Sequence, residues 1–452
     1  MSGQSDLKLF SEMPVMQAIL KNAIPSTLAM LLVLIYNLAD IFFIGRTHDP
    51  LQVAAMSLTS QVFVIYTALG TIFGVGGVSV ISRVLGQAKL DYAKSVSAFC
   101  AWSSLCTGMT FSLLVWIFMD GILNMLGADD QTWQFAESYL SIVSVAGASV
   151  VFNGCCSNLL RAEGQPVKAM AGQLIGNTVN IIFCPILILG LNLNTKGAAL
   201  ATVSGNFVAS AYYIIYFLKG KSNLSLSIKR FTLGKRIFSR VMAIGVPASM
   251  NTILMCVAYM VLNRMVVSYG NLQLAGIGVA TNVLKIPGLF CIGMGQGIQP
   301  LVGYCVGAGL WKRCKDIVKK SLLTGFSFSV VLTGLIYLFM DRIVYAFLPE
   351  INAFQYGESY TRIMLGGSFL FGIFYVLVNV LQGFGAARES LIISISRQGI
   401  IYIPVLFMMR SLWGLNGLVW AQPLSDTLAT VLVTVLFLHC WRKRQPIIIN
   451  KE

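Results

Sequence analysis

Gln134-Phe-Ala-Glu-Ser-Tyr139 returns as Gln355-Tyr-Gly-Glu-Ser-Tyr360, 221 residues further along the chain. Working outward at the same separation, Leu51-Gln52 meets Leu272-Gln273, Gly74 and Gly76 meet Gly295 and Gly297, and Gly86 meets Gly307. Asn158, Leu160 and Gly164 meet Asn379, Leu381 and Gly385. Pro25 and Pro247 stand 222 apart and Pro185 and Pro404 219 apart, so small insertions and deletions keep the halves aligned. Chance gives one such block; a series holding one offset over most of both halves is an internal duplication.

The duplicated material is apolar. Of 452 residues, 56% are apolar and only 11% charged, against roughly 25% charged in a soluble domain. That excludes a soluble globular enzyme, a disordered tail and a coiled coil. At roughly 20 residues per helical crossing, the apolar content allows about twelve crossings. Apolar stretches fall at about 15–44, 53–82, 93–119, 132–158, 165–190 and 195–218, then at about 241–269, 272–306, 315–340, 353–381, 389–409 and 414–439. The first run ends in Asp40 and Gly45 with no small-residue cleavage site, so it is expected to stay as a helix.

Six helices are thus used twice, and because six is even both copies enter the membrane from the same side. The expected fold is all-α and integral to the membrane: twelve transmembrane helices in two pseudo-symmetric six-helix bundles around a central cleft, the architecture of an alternating-access carrier. The expected boundaries are 1–218 for the N-terminal bundle, 219–240 for a basic cytoplasmic linker, 241–440 for the C-terminal bundle and 441–452 for a cytoplasmic tail. Gly74-Val-Gly-Gly77 and Gly293-Met-Gly-Gln-Gly297 would let helices approach closely or bend.

A net charge of +15 would suggest nucleic acid if the basic residues formed one surface, but they cluster in short loops. Sorted by alternate loops, 25 of the 32 Lys and Arg lie on the side of the termini and the linker. Six (Arg46, Lys196, Arg264, Arg342, Arg362, Arg410) lie opposite, with Asp120, Asp129, Asp130 and Glu350. The positive-inside rule then puts both termini in the cytoplasm. Ten cysteines, mostly within apolar runs and without C-x-x-C spacing, read as small core residues. With only His48 and His439, a histidine-built catalytic or metal site is not expected.

Ionisable residues at membrane depth cost about 2.5–3.5 kcal/mol each on insertion scales and are functional candidates. Three are read here: Asp40, Lys285 and Asp426. Tyr36, Asn37 and Asp40 make a polar strip on helix 1, and Gln173, Asn177, Asn180 and Cys184 share one face of helix 5. Thr202 and Asn206 stand four apart on helix 6. If the strips converge, one carboxylate is surrounded by neutral donors and can be protonated, or ionised around a cation. The other reading of Asp40 is a helix-end carboxylate at the outer interface. In the second half Thr281, Asn282 and Lys285 share helix 8, and Gln422, Asp426 and Thr430 share helix 12. For Lys285 and Asp426 a fixed ion pair and a role in substrate contact both stand.

These residues resemble a known family. Ile24-Pro25…Tyr36-Asn-Leu-Ala-Asp40-Ile-Phe-Phe-Ile-Gly45, the Leu159-Leu-Arg-Ala-Glu-Gly164 turn and Gly197-Ala-Ala-Leu-Ala-Thr202, within two six-helix repeats, are similar to multidrug and toxic compound extrusion (MATE) transporters of the prokaryotic DinF-like and MepA-like branch. The resemblance covers essentially the whole chain. It implies secondary active efflux of small amphipathic, often cationic drugs, driven by inward H⁺ or Na⁺. It also implies coupling through the helix 1 aspartate with an Asn, an Asp and a Thr of helices 5 and 6, which here fall on Asp40, Asn180, Cys184 and Thr202. Cys184 departs from the pattern. A hard cation prefers oxygen ligands, so the thiol points to protons rather than Na⁺. The acids that other branches carry on helices 7 and 10 are missing apart from Glu358 near an end. Pro25 fits the family's helix 1 proline, where bending is tied to protonation of the aspartate; a first-turn proline needs no such role. Tyr139 lines the pocket or anchors at the interface.

The expected partners are such drugs and the lipid bilayer, with no nucleic acid and no second subunit. No cofactor or metal is expected, only H⁺, or Na⁺, as coupling ion. The expected location is the plasma (inner) membrane, multi-pass. The rival reading is a flippase for lipids or lipid-linked oligosaccharides, which would carry a strongly cationic cavity where this chain shows only Lys285. An enzyme would need a catalytic pair at membrane depth, and none is seen. A channel fits the duplicated polar strips less well than a closed pocket does.

Overall fold

A computed structural model describes residues 9–47, 49–220, 222–234, 236–347 and 351–449. His48, Lys221, Lys235, Glu350 and the tail's end at 450–452 lie outside the described residues. The spanning helices are α1 (Val15–Gly45), α2 (Pro50–Gly86), α3 (Leu90–Ile117), α4 (Trp133–Val145 with Gly147–Ala162), α5 (Pro166–Gly190) and α6 (Asn194–Leu218). The second set is α7 (Ile237–Val267), α8 (Asn271–Ala308), α9 (Trp311–Leu338), α10 (Ala353–Phe384) and the run Ala387–Arg444. At 58 residues that run is far longer than one crossing requires. Its backbone leaves the helix at Gly414 (φ 58°, ψ −131°), which divides it into α11 before and α12 after. A spanning helix is therefore found for each of the twelve apolar stretches of the sequence, α4 with a 51° bend between its two arms.

Two compact units result, Met1–Met13 with Leu28–Ser249 and Pro14–Thr27 with Met250–Glu452. The opening helix of each repeat is divided between them. The start of α1 belongs with the second unit and the start of α7 with the first, and the two switch points, 27/28 and 249/250, are 222 residues apart. Glycines make these crossings. In the second unit a Cβ on Gly293 or Gly297 of α8 would strike the α1 backbone at Thr27 or Ala23. In the first unit Gly76 of α2 lies against Val241 of α7, and Gly245 of α7 against Ile72 of α2. Lipid offers helices no hydrophobic drive to associate, so this backbone-to-backbone packing carries the association. Pro25 and Pro247, each lacking a helical N–H, stand three residues before the switch points.

The duplication is also visible as one repeated contact. Asn158 donates its amide to Gly154 O at 2.8 Å and fills the space over Gly74. Asn379 donates to Tyr375 O at 2.8 Å and fills the space over Gly295.

Of the linker expected over 219–240, α7 takes the end from Ile237, and described residues between Ser222 and Arg230 bond to the first unit. Ser97 donates to Ser225 O at 3.0 Å and Trp102 Nε1 to Leu226 O at 2.9 Å. Arg230 pairs with Asp91 at 2.9 Å, and the Ser222 hydroxyl and Asn223 N–H both donate to Glu163 Oε2.

Candidate functional site

In the first unit three of the polar strips converge. Asp40 is 5% exposed near the end of α1. The Cys184 thiol of α5 donates to its Oδ1 at 3.0 Å, and the Asn180 side chain, one turn earlier, lies beside the same carboxylate. The Asn180 amide also donates to Thr202 Oγ1 of α6 at 3.2 Å, and the Thr202 hydroxyl donates to Ala198 O at 3.1 Å. Tyr139, on the first arm of α4, is buried beside Thr202; Tyr36 lies beside Asp40. The four coupling candidates named from the sequence (Asp40, Asn180, Cys184 and Thr202) thus come together as two hydrogen-bonded pairs, Asp40 with Cys184 and Asn180 with Thr202, with Tyr139 beside them. Among the described residues no Lys, Arg or His pairs with Asp40. Its partners are neutral, and its charge is uncompensated.

Local structure aims these groups. Cys184 precedes Pro185, and the chain passes there from an α-helix into a π turn over Ile186–Gly190. A π turn rotates the following residues relative to the preceding face and recurs at functional sites. Further along the same face of α5, Gln173 Oε1, Asn177 Nδ2 and Asn180 Oδ1 are buried without a hydrogen-bond partner. Buried polar atoms are nearly always satisfied, so this row marks a place that water or a ligand completes.

Two strip members stand apart. Asn37 is exposed on α1. Asn206 belongs to a neighbouring network in which Asn153 Nδ2 reaches its backbone and side-chain oxygens at 2.9 and 3.2 Å, and Ser210 donates to Asn153 Oδ1. Asn153 was not singled out from the sequence; its place on α4, 53 residues from Asn206, gives no periodic signal.

In the second unit the expected ionic arrangement is corrected. Lys285 and Asp426 do not pair. Asp426, 3% exposed, takes Arg397 Nη2 on Oδ1 at 3.2 Å and Gln422 Nε2 on Oδ2 at 2.7 Å. Arg397 also donates to the Tyr375 hydroxyl at 2.8 Å and lies over Phe374 at 4.3 Å from the ring centre. Counting Arg397 with the cytoplasmic loops, and Lys285 as the one basic residue within a helix, fails because Arg397 sits in a π-helical stretch (Ser396–Tyr402) ten residues inside α11, buried at 6% exposure. Lys285 instead donates to Asn282 Oδ1 at 2.9 Å, and both side chains are exposed. Thr430 only closes a bond to Asp426 O within α12.

The comparisons agree with the duplication. The MatE family model matches twice, over residues 25–186 and 247–408. The chain is 32% identical over 438 residues to the multidrug export protein MepA of Staphylococcus aureus, covering 97% of this chain and 96% of that protein. It is 33% identical over 425 residues to MepA of Staphylococcus haemolyticus, covering 94% and 93%. Its fold matches a crystal structure of a MATE protein in complex with MaL6 at a TM-score of 0.91 and 23% identity, covering 98% and 99% of the two chains. One family model matching both halves of the chain, and identity above 30% to relatives over nearly their whole length, show that the chain belongs to the MatE family of membrane transporters.

Proposed function

We propose that this protein is a multidrug efflux antiporter of the plasma membrane, a monomer with both termini in the cytoplasm, that exports amphipathic, often cationic compounds in exchange for inward H⁺ bound at Asp40. The observation that carries this reading is the uncompensated buried carboxylate. With the neutral Cys184 thiol donating to it and Asn180 beside it, Asp40 can be neutralised by a proton or by a cationic substrate, and binding one weakens the hold on the other. That mutual exclusion is what antiport requires. The open row Gln173, Asn177 and Asn180, with Tyr36 and Tyr139, supplies neutral contacts for a substrate. Na⁺ is disfavoured because the Cys184 sulfur stands where a hard cation would want an oxygen. The relatives named as multidrug export proteins support the substrate class.

A lipid flippase that handles pyrophosphate would need several free cations at membrane depth. Here the charge of Arg397 is neutralised by Asp426, which among the described residues leaves Lys285.

The test is Asp40→Asn in proteoliposomes with an imposed pH gradient. Proton-driven efflux of a cationic dye should fall to the protein-free rate while yield and monodispersity stay at wild-type values. Normal pumping by this variant, or wild-type efflux driven by a Na⁺ gradient alone, overturns the reading.

A further inference from the structure

The ion pair that Asp426 makes with Arg397 leaves Lys285 unmatched. Among the described residues no carboxylate pairs with its ammonium, which donates to Asn282 Oδ1 at 2.9 Å. Glu358, the acid near one end of α10, is taken by Arg362 at 2.6 Å. The cation is far from either helix end. Lys285 is the fifteenth residue of the 38 in α8, about 21 Å along the axis at 1.5 Å per residue. A lysine stem cannot snorkel across that distance to an interface.

Its surroundings on the helix are not those of a lipid-facing surface. Gly278, Thr281, Asn282 and Lys285 lie on one side of α8 by their three- and four-residue spacing. Asn282 and Lys285 are exposed, and a Cβ on Gly278 would meet nothing within 4 Å. An ammonium in hydrocarbon at that depth is costly, so a small-and-polar face that carries one faces water. In the export reading the first unit already supplies an anion for a cationic substrate at Asp40, and the second unit carries this cation.

We propose that Lys285, with Asn282 beside it, is a substrate-binding group that takes the anionic moiety, a carboxylate or its equivalent, of amphiphiles that also carry a positive charge. The inference rests on the export reading and extends it from cations to zwitterions. Lys285 donates charge-assisted hydrogen bonds to the substrate's acid, and Asn282 holds the ammonium in place while the site is empty.

The experiment uses a xanthene dye with a free carboxylate and its methyl ester, two probes that differ by one negative charge. Binding of each to the purified full-length protein is read by fluorescence polarisation, and export in proteoliposomes. The wild type should bind the acid at least as tightly as the ester. Lys285→Met should raise the acid's Kd about tenfold or more, the scale of a lost hydrogen bond to a charged group. It should leave the ester's Kd within about twofold. Lys285→Arg, which keeps the charge, should retain the acid. A monodisperse gel-filtration profile and a melting temperature in detergent at the wild-type value show that both variants are folded. Equal weakening of both dyes, no effect on the acid, or a wild type that prefers the ester overturns the assignment while the export reading stands. A wild type that binds and exports neither dye removes the export reading, and this inference with it.

Discussion

A membrane potential imposed without a pH gradient should barely move a monovalent cationic dye through this protein. The first unit's site holds one carboxylate, and its second sulfur- or oxygen-bearing position is the neutral thiol of Cys184, 3.0 Å from Asp40 Oδ1. One H⁺ exchanged for one monovalent cation carries no net charge, so the potential does no work on the cycle. If a second proton moved instead, each turnover would carry one charge inward. At about 2.3 kcal/mol per charge per 100 mV, and tenfold per about 1.36 kcal/mol, that would raise the attainable dye gradient about 50-fold at 100 mV.

The assay is dye accumulation in proteoliposomes with the potential clamped by valinomycin and a K⁺ gradient, and pH equal on both sides. A change of less than about twofold at 100 mV is expected for the wild type, with a tenfold response to each unit of pH gradient. Cys184→Asp supplies the contrast. Two carboxylates at that separation cannot both ionise without a cation between them, so the variant takes up two protons and becomes sensitive to the potential, or takes up one Na⁺ and becomes sensitive to a Na⁺ gradient. A wild type that responds about 50-fold to 100 mV refutes the single-carboxylate reasoning.

Removing one member of the buried pair should be costly. Arg397→Met strands Asp426 and should destabilise the protein by about 3–5 kcal/mol, whereas Arg397→Met with Asp426→Leu should recover most of that; thermal melting in detergent compares them. Gly293→Ala puts a Cβ against the α1 backbone at Thr27 and should lower the melting temperature or the yield, while Gly278→Ala, with open space, should match the wild type. Glu163→Gln weakens the two bonds that pin Ser222 and Asn223, so trypsin should cut after Lys229 or Arg230 several-fold faster, read by gel after limited digestion.

Much of this was legible because membrane helices leave periodic traces. The 221-residue offset pairs Gly74 with Gly295 and Asn158 with Asn379, and the structure returns the same residues as one glycine–asparagine contact made twice. Four-residue spacing put Asn180 and Cys184 on one face, and that face meets Asp40. Arg397 was lost because sorting charges by loop assumes that every Arg near a turn is outside the membrane. Its distance from the start of α11 at Ala387, about 15 Å at 1.5 Å per residue, was the available signal. The exchange of half-helices at 27/28 and 249/250 leaves no mark in hydropathy, since both halves of α1 are apolar whichever unit they join.

The duplication then isolates what differs in function between the halves. At an offset of 220, Gly197 corresponds to Gly417, Thr202 to Gln422 and Asn206 to Asp426. Both glycines pack on the preceding helix, Gly197 on Leu187 and Gly417 on Met409. Corresponding positions on α6 and α12 thus carry a neutral network in the first unit and an ion pair in the second. A buried carboxylate that already holds a guanidinium gains little from a proton or a cation, because accepting either leaves the guanidinium uncompensated. Among the described residues Asp40 has no such partner, so its charge is free to be met by a proton or a cation. Between two copies of one scaffold, that difference is what the proposed antiport rests on, and it places the proposed coupling in the first unit.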